Sequence, residues 1–203
     1  MIFKRFIMVN TILLLLFLLV SSDLISQEKI QKNDFRNSRW GMKKDKVLST
    51  EKNKPTEAAA VGLFFVTIHT GEIAGLKAQY LYYFLDDVLV RGGYTFREKH
   101  YNKNKYIDDY NNLKEILTRK YGSPTTSNTR WYKDHYKDRP QYHGRAVSMG
   151  ELVFVSNWET DRTLIFLILT GDNFNISMVL QYNSKLYKEL IDKAEEKSQE
   201  QGL

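Results

Sequence analysis

Aromatic and charged side chains crowd together in Arg130-Trp131-Tyr132-Lys133-Asp134-His135-Tyr136-Lys137-Asp138-Arg139, and the run continues to Tyr142-His143. Flat rings interleaved with cations suit stacking on sugar rings or holding an anionic polymer. The side chains expected to touch such a ligand are Arg130, Trp131, Tyr132, His135, Tyr136, Arg139, Tyr142 and His143. The competing reading is a long loop that tucks its rings against a sheet edge and leaves its charges in water. A second polar, basic loop, residues 97–105, could display Lys, Arg and Tyr beside the first.

Other chemistries find less to work with. His135, His143, Asp134 and Asp138 are ligand types that zinc accepts, but their spacing follows no metal motif. No Gly-x-Ser-x-Gly elbow is present, and Arg91-Gly92-Gly93 is too short to cradle a phosphate. Asp86-Asp87 reads as a turn and Asp108-Asp109 as the anionic first turn of a helix. Neighbouring residues diverge on either element, so neither pair makes a convergent acid and base. The chain contains no cysteine, which excludes disulfides, thiolate metal sites and a thiol nucleophile. The expectation is a non-enzymatic binding or interaction domain with no cofactor and no metal. The alternatives are a hydrolase of envelope polymers, or a structural protomer that buries strand 163–169 against a copy of itself.

The address comes from the N-terminus. Lys4 and Arg5 precede an apolar stretch, Ile7 to Val20, interrupted by Asn10 and Thr11, and Ser21, Ser22 and Ser26 follow. A charged start, a short apolar middle and a small-residue exit mark a secretory signal peptide. A membrane anchor would need about 20 apolar residues, and the unbroken run Ile12–Val20 has nine. Residues 1–26 are therefore expected to direct export to the periplasm or the medium. Membrane contact is then confined to that segment. The formal charge is +6, and +5 without residues 1–26. That mild excess is compatible with an envelope partner, an anionic polymer or a protein, and export separates the chain from nucleic acid.

A flexible lead-in is expected over 27–34, one domain over 35–197 and a frayed tail over 198–203. Within the domain, apolar spacing predicts a helix over 43–50, a strand over 61–69, a strand that follows Gly75 and alternates from Ala78 to Leu85, a strand over 88–96, and a helix with Tyr106, Tyr110, Leu113 and Leu117 on one stripe. A short strand near Trp131 follows. Strands over 152–158, 163–169 and 176–182 and a last helix over 186–197 complete the order. The nearly all-apolar 163–169 reads as a central strand covered on both faces. Trp40-Gly41-Met42 reads as a tryptophan sealing the core beside a tight turn. The expected fold is α+β: an antiparallel sheet with helices on one face, its element order suggesting two similar helix-plus-hairpin halves.

Several landmarks recur in a fixed order: Phe35 with Arg39-Trp40-Gly41-Met42, Tyr82 to Val90, Lys120-Tyr121-Gly122-Ser123-Pro124, Trp158-Glu159-Thr160-Asp161-Arg162-Thr163, and Gly171-Asp172-Asn173-Phe174. In order and spacing the chain resembles a family of small exported bacterial proteins of unknown function. That resemblance implies export and a single small domain, and brings no activity or catalytic residue. The layout also resembles the tandem helix-plus-sheet arrangement of β-lactamase-inhibitor-like and envelope-assembly proteins, an architectural likeness alone.

Overall fold

Tight hairpins build this molecule. A computed structural model describes residues 33–200, which belong to one compact unit. The signal-peptide reading and most of the lead-in lie outside the described residues. A five-residue helix α1 (Lys44–Leu48) precedes a meander of β1 (Glu57–Val61), β2 (Phe64–Ile73), β3 (Leu76–Leu85) and β4 (Val88–Phe96). Helix α2 (Lys105–Tyr121) leads to β5 (Thr126–Trp131). A long loop and helix α3 (His143–Ser148) lead to β6 (Leu152–Glu159), β7 (Thr163–Asp172), β8 (Asn175–Ser184) and helix α4 (Lys188–Glu200). The eight strands form one sheet in the order β1-β2-β3-β4-β8-β7-β6-β5. Every pair is antiparallel.

The turns explain the length of the strands. Ala74-Gly75, Asp86-Asp87 and Asn173-Phe174 each place two successive residues at positive φ. That is the requirement of a two-residue hairpin turn whose twist matches the strands, so pairing runs to the very ends. The sheet therefore outweighs the four short helices.

The α+β expectation is thus corrected to a β-rich fold. Helices on one face is corrected as well. Helices α1, α2 and α3 bring Val47, Tyr110, Leu113, Leu117, Ala146 and Val147 onto the face carrying Tyr80, Tyr82, Leu167 and Leu180. Helix α4 lies on the opposite face, with Ile191 and Ala194 against Phe64, Val66, Leu85 and Val90. Two four-strand meanders do meet at β4–β8, but their helices are not equivalent: α1 has five residues and α2 seventeen. Three local readings also change. The 61–69 strand is a hairpin, with β1 and β2 joined through Gly62-Leu63. Strand β7 alternates buried Ile165, Leu167 and Leu169 with half-exposed Leu164, Phe166 and Ile168, so it is covered on one face. Leu186 lies outside α4 and is exposed.

Residues 34–42 form a hook that closes the main core. The Phe35 ring sits 5.3 Å from the centroids of Tyr82, Tyr94 and Tyr182. Asp34 takes two hydrogen bonds from Arg162, at 2.8 and 2.9 Å, and one from the Trp40 backbone N–H at 2.9 Å. Trp40 Nε1 donates to Thr163 Oγ1 at 2.9 Å. The Trp40 and Arg162-Thr163 landmarks are therefore two halves of one joint, buried at Asp34, Trp40 and Thr163 and open to water at Arg162, which accounts for their chemistry without a ligand.

Candidate functional site

The aromatic–basic run lies where β5 ends. The Tyr132 N–H donates to Glu151 O at 2.8 Å, the last rung before the chain leaves the sheet. Two turns follow, closed by Lys137 N–H to Asp134 O and Arg139 N–H to Tyr136 O, both 3.0 Å. His143 Nε2 donates to Lys137 O at 3.0 Å, and its ring meets Trp131 edge-on at 5.0 Å. Tyr136 lies between Tyr142, at 5.5 Å, and the Arg145 guanidinium, at 5.9 Å.

This geometry divides the candidate residues. Trp131, Tyr136 and His143 are half-buried, and the first two pack against the main core. Arg130, Tyr132, His135, Arg139 and Tyr142 face solvent. Arg130 stacks over the Tyr132 ring at 4.7 Å, a cation–ring pair on the open side.

The second basic loop is fastened to the first. Asn104 donates through Nδ2 to Pro140 O at 3.0 Å and accepts the Gly144 N–H through Oδ1 at 2.7 Å. A Cβ on Gly144 would lie 2.2 Å from the Lys103 carbonyl carbon, so only glycine lets the two backbones approach this closely. Lys103 Nζ in turn donates to Phe174 O at 2.7 Å, which brings in the β7–β8 turn. Loop 97–105 carries its own supports, His100 Nε2 to Asp109 Oδ2 at 2.6 Å and the Tyr106 hydroxyl to Glu98 O at 3.2 Å. Between this loop and the turn lies an open recess of about 510 Å³, lined by Arg97, His100, Lys103, Tyr106, Phe174 and Ile176 among others.

Three segments remote in sequence thus share one end of the sheet. Tyr101, Tyr132, Tyr142 and Phe174 are exposed there, Phe174 at 60% and Tyr132 at 58%. Lys99, Lys103, Lys133, Lys137 and Arg139 stand among them as cations. Such a surface can stack on flat or apolar groups and attract negative charge. Asn104, Phe174 and Glu151 were missed from the sequence. Glu151 is buried at 2% exposure, with its carboxylate 3.6 Å from both Lys133 Nζ and His135 Nε2. Exchanging Gly144 for alanine is expected to cost about 1–3 kcal/mol of stability, as overpacking does. Urea unfolding checks it, and Asn104→Ala should give a smaller loss of the same sign.

Acid–base and metal chemistry gain no support from the arrangement. Among the described residues no three His, Cys, Asp or Glu side chains converge as metal ligands. Asp109 is paired with His100, and Asp108 with Lys105 at 3.2 Å, so the two carboxylates point to different partners. Asp86 and Asp87 form a hairpin turn.

The most perturbed groups lie elsewhere, under the hook. Arg36 donates to both Glu51 oxygens, at 2.9 and 3.0 Å, and the Tyr82 hydroxyl also donates to Glu51. Burial works to raise the Glu51 pKa, but the Arg36 and Tyr82 hydrogen bonds and the Arg36 charge outweigh it, and the net shift is downward. Burial pushes the Tyr82 hydroxyl up, and its bond to Glu51 adds to that. His69, 1% exposed, stacks on Tyr80 at 4.9 Å. Burial lowers its pKa against the opposing pull of Glu51. Glu51 spends its lone pairs on Arg36 and Tyr82, so this cluster serves as a buried structural joint.

No family model matches the chain, no curated protein matches it in sequence, and no solved structure matches it in fold. None of these comparisons bears on the resemblance carried by the landmark segments.

Proposed function

We propose that the protein is an exported, non-enzymatic binding domain that holds an anionic partner of the bacterial cell envelope on the loop end of its sheet. The observation that carries this reading is the Asn104 clamp. It makes one surface of loops 97–105 and 132–143, on which the exposed rings and cations are shared. A rigid sheet presenting rings and cations on fixed loops is the usual arrangement for recognition. The partner meets Arg130, Tyr132, His135, Arg139 and Tyr142 from one loop, and Lys99, Tyr101 and Lys103 from the other. Trp131, Tyr136 and His143 hold the first loop in shape. Export rests on residues 1–26, and the described residues contain no helix long and apolar enough to cross a membrane.

The test is binding of the full chain to dextran sulfate, with neutral dextran as the control. The wild type should bind the anionic polymer and release it as salt rises. The double variant Lys99→Glu, Arg139→Glu should lose at least ten-fold in affinity while its thermal unfolding stays unchanged. Equal binding by wild type and variant removes the loop end from the proposal.

A further inference from the structure

Among the described residues, the opposite face of the sheet is covered over one meander and bare over the other. Helix α4 covers Phe64, Val66, Leu85 and Val90 on the first. On the second, the same face carries Val153, Val155 and Asn157 of β6, Leu164, Phe166 and Ile168 of β7, and Val179, Gln181 and Asn183 of β8. Val155, Ile168 and Val179 are in register across the three strands, so the patch is continuous. Each of these side chains is half-exposed. Charge is confined to the rim. Glu159, tied to Lys185 at 2.7 Å, stands at one end, and Arg130 and Asp172 stand at the other.

We propose that this face is the interface of a homodimer, in which a second copy lays the same half-sheet against it. The neutrality of the patch selects the occupant. The centre of the face carries no charge to hold an anionic polymer, whereas an identical face complements it around a two-fold axis, apolar residue on apolar and amide on amide. The size is adequate. Four strands about 4.8 Å apart, three of them about 26–33 Å long and β5, which adds Thr126, Asn128 and Arg130, about 20 Å, offer roughly 500–600 Å² per copy. The pair therefore buries roughly 1,000–1,200 Å², the lower bound for a specific interface. Two sheets packed face to face about 10 Å apart would interleave Phe166 and Ile168 with their counterparts. Apart from Arg130, which stands at the rim of this face, the loop-end residues lie beyond the strands, so dimerisation leaves them free to bind.

The experiment is light scattering of the full chain with size separation at about 50 μM, together with cross-linking. Wild type should elute at twice the chain mass, and Phe166→Lys should elute at the mass of one chain. The absence of cysteine permits a second readout that does not depend on the lysine variant folding. Ile168→Cys should be joined into dimers by a short bis-maleimide, whereas Glu115→Cys, on the exposed side of α2, should not. A wild type of single-chain mass overturns the proposal. So does equal cross-linking at both positions, or cross-linking of Ile168→Cys in cells to a species of a different mass.

Discussion

Phe35→Ala is expected to cost about 3–5 kcal/mol of folding stability, the range for emptying a buried aromatic site. The ring is 2% exposed and stands at the centre of three tyrosines, so its removal leaves a cavity that the sheet cannot collapse to fill. It also loosens the hook, whose other attachments include the Asp34–Arg162 and Arg36–Glu51 pairs, the Trp40–Thr163 hydrogen bond and the Gly41 N–H bond to Leu89 O. Gly92 supplies a matching test from the other side. A Cβ there would lie 2.2 Å from the Phe35 ring, so Gly92→Ala must displace the ring or the strand. Guanidinium unfolding of both variants measures the effect. A loss under 1 kcal/mol in Phe35→Ala would show that the hook is ornamental to the core.

Glu51→Gln is expected to cost about 3 kcal/mol, the low end for breaking a buried ion pair, because the Arg36 side chain keeps some contact with water. The pH dependence follows from the same cluster. The His69 pKa is depressed in the folded protein, so its contribution is complete above the unfolded value of about 6.5 and is lost as pH falls from there toward the folded value. The Glu51 pKa is depressed too, so its contribution is complete above about 4.5 and is lost as pH falls through the folded value. Stability should therefore decline in two stages on acidification. His69→Phe, which keeps the stacking on Tyr80, should abolish the first stage and leave the second. Glu51→Gln should flatten the second. Thermal midpoints between pH 3 and 8 check both, and a first stage that persists in His69→Phe would assign it to another group.

The parts of the fold that could be read from the sequence are those where one residue's environment repeats at a fixed period. Tyr80, Tyr82 and Phe84 alternate with Leu81 and Tyr83, and the sheet uses that alternation. Tyr110, Leu113 and Leu117 likewise fix the buried side of α2. Tertiary pairing decided what periodicity did not. Ala58–Ala60 favour helix by propensity, yet they form an edge strand because Phe64–Ile68 offers a partner across Gly62-Leu63. The stripe of α4 shows which of its sides is buried, but not which face of the sheet receives it, and the expectation of helices on one face failed there. The apolar content of Thr163–Leu169 implied cover on both sides, whereas one of those faces is bare in the described chain.

The site was legible to a similar degree. The aromatic–basic run was visible as composition, but the division between Trp131, which packs inward, and Tyr132, which faces out, depends on where β5 ends. The helix at His143–Ser148 was hidden by Gly144, a poor helix former placed there by the close approach of Lys103. Nothing local marks Asn104 as the clamp, since both of its partners lie about 40 residues further along the chain.

The binding account is tested most directly by hydrogen exchange of the chain with and without bound dextran sulfate. Protection is expected together in residues 97–105, 130–143 and 173–174, with β7 and α4 unchanged. Protection that falls on one loop alone, or on the α4 face, would contradict a shared loop-end surface.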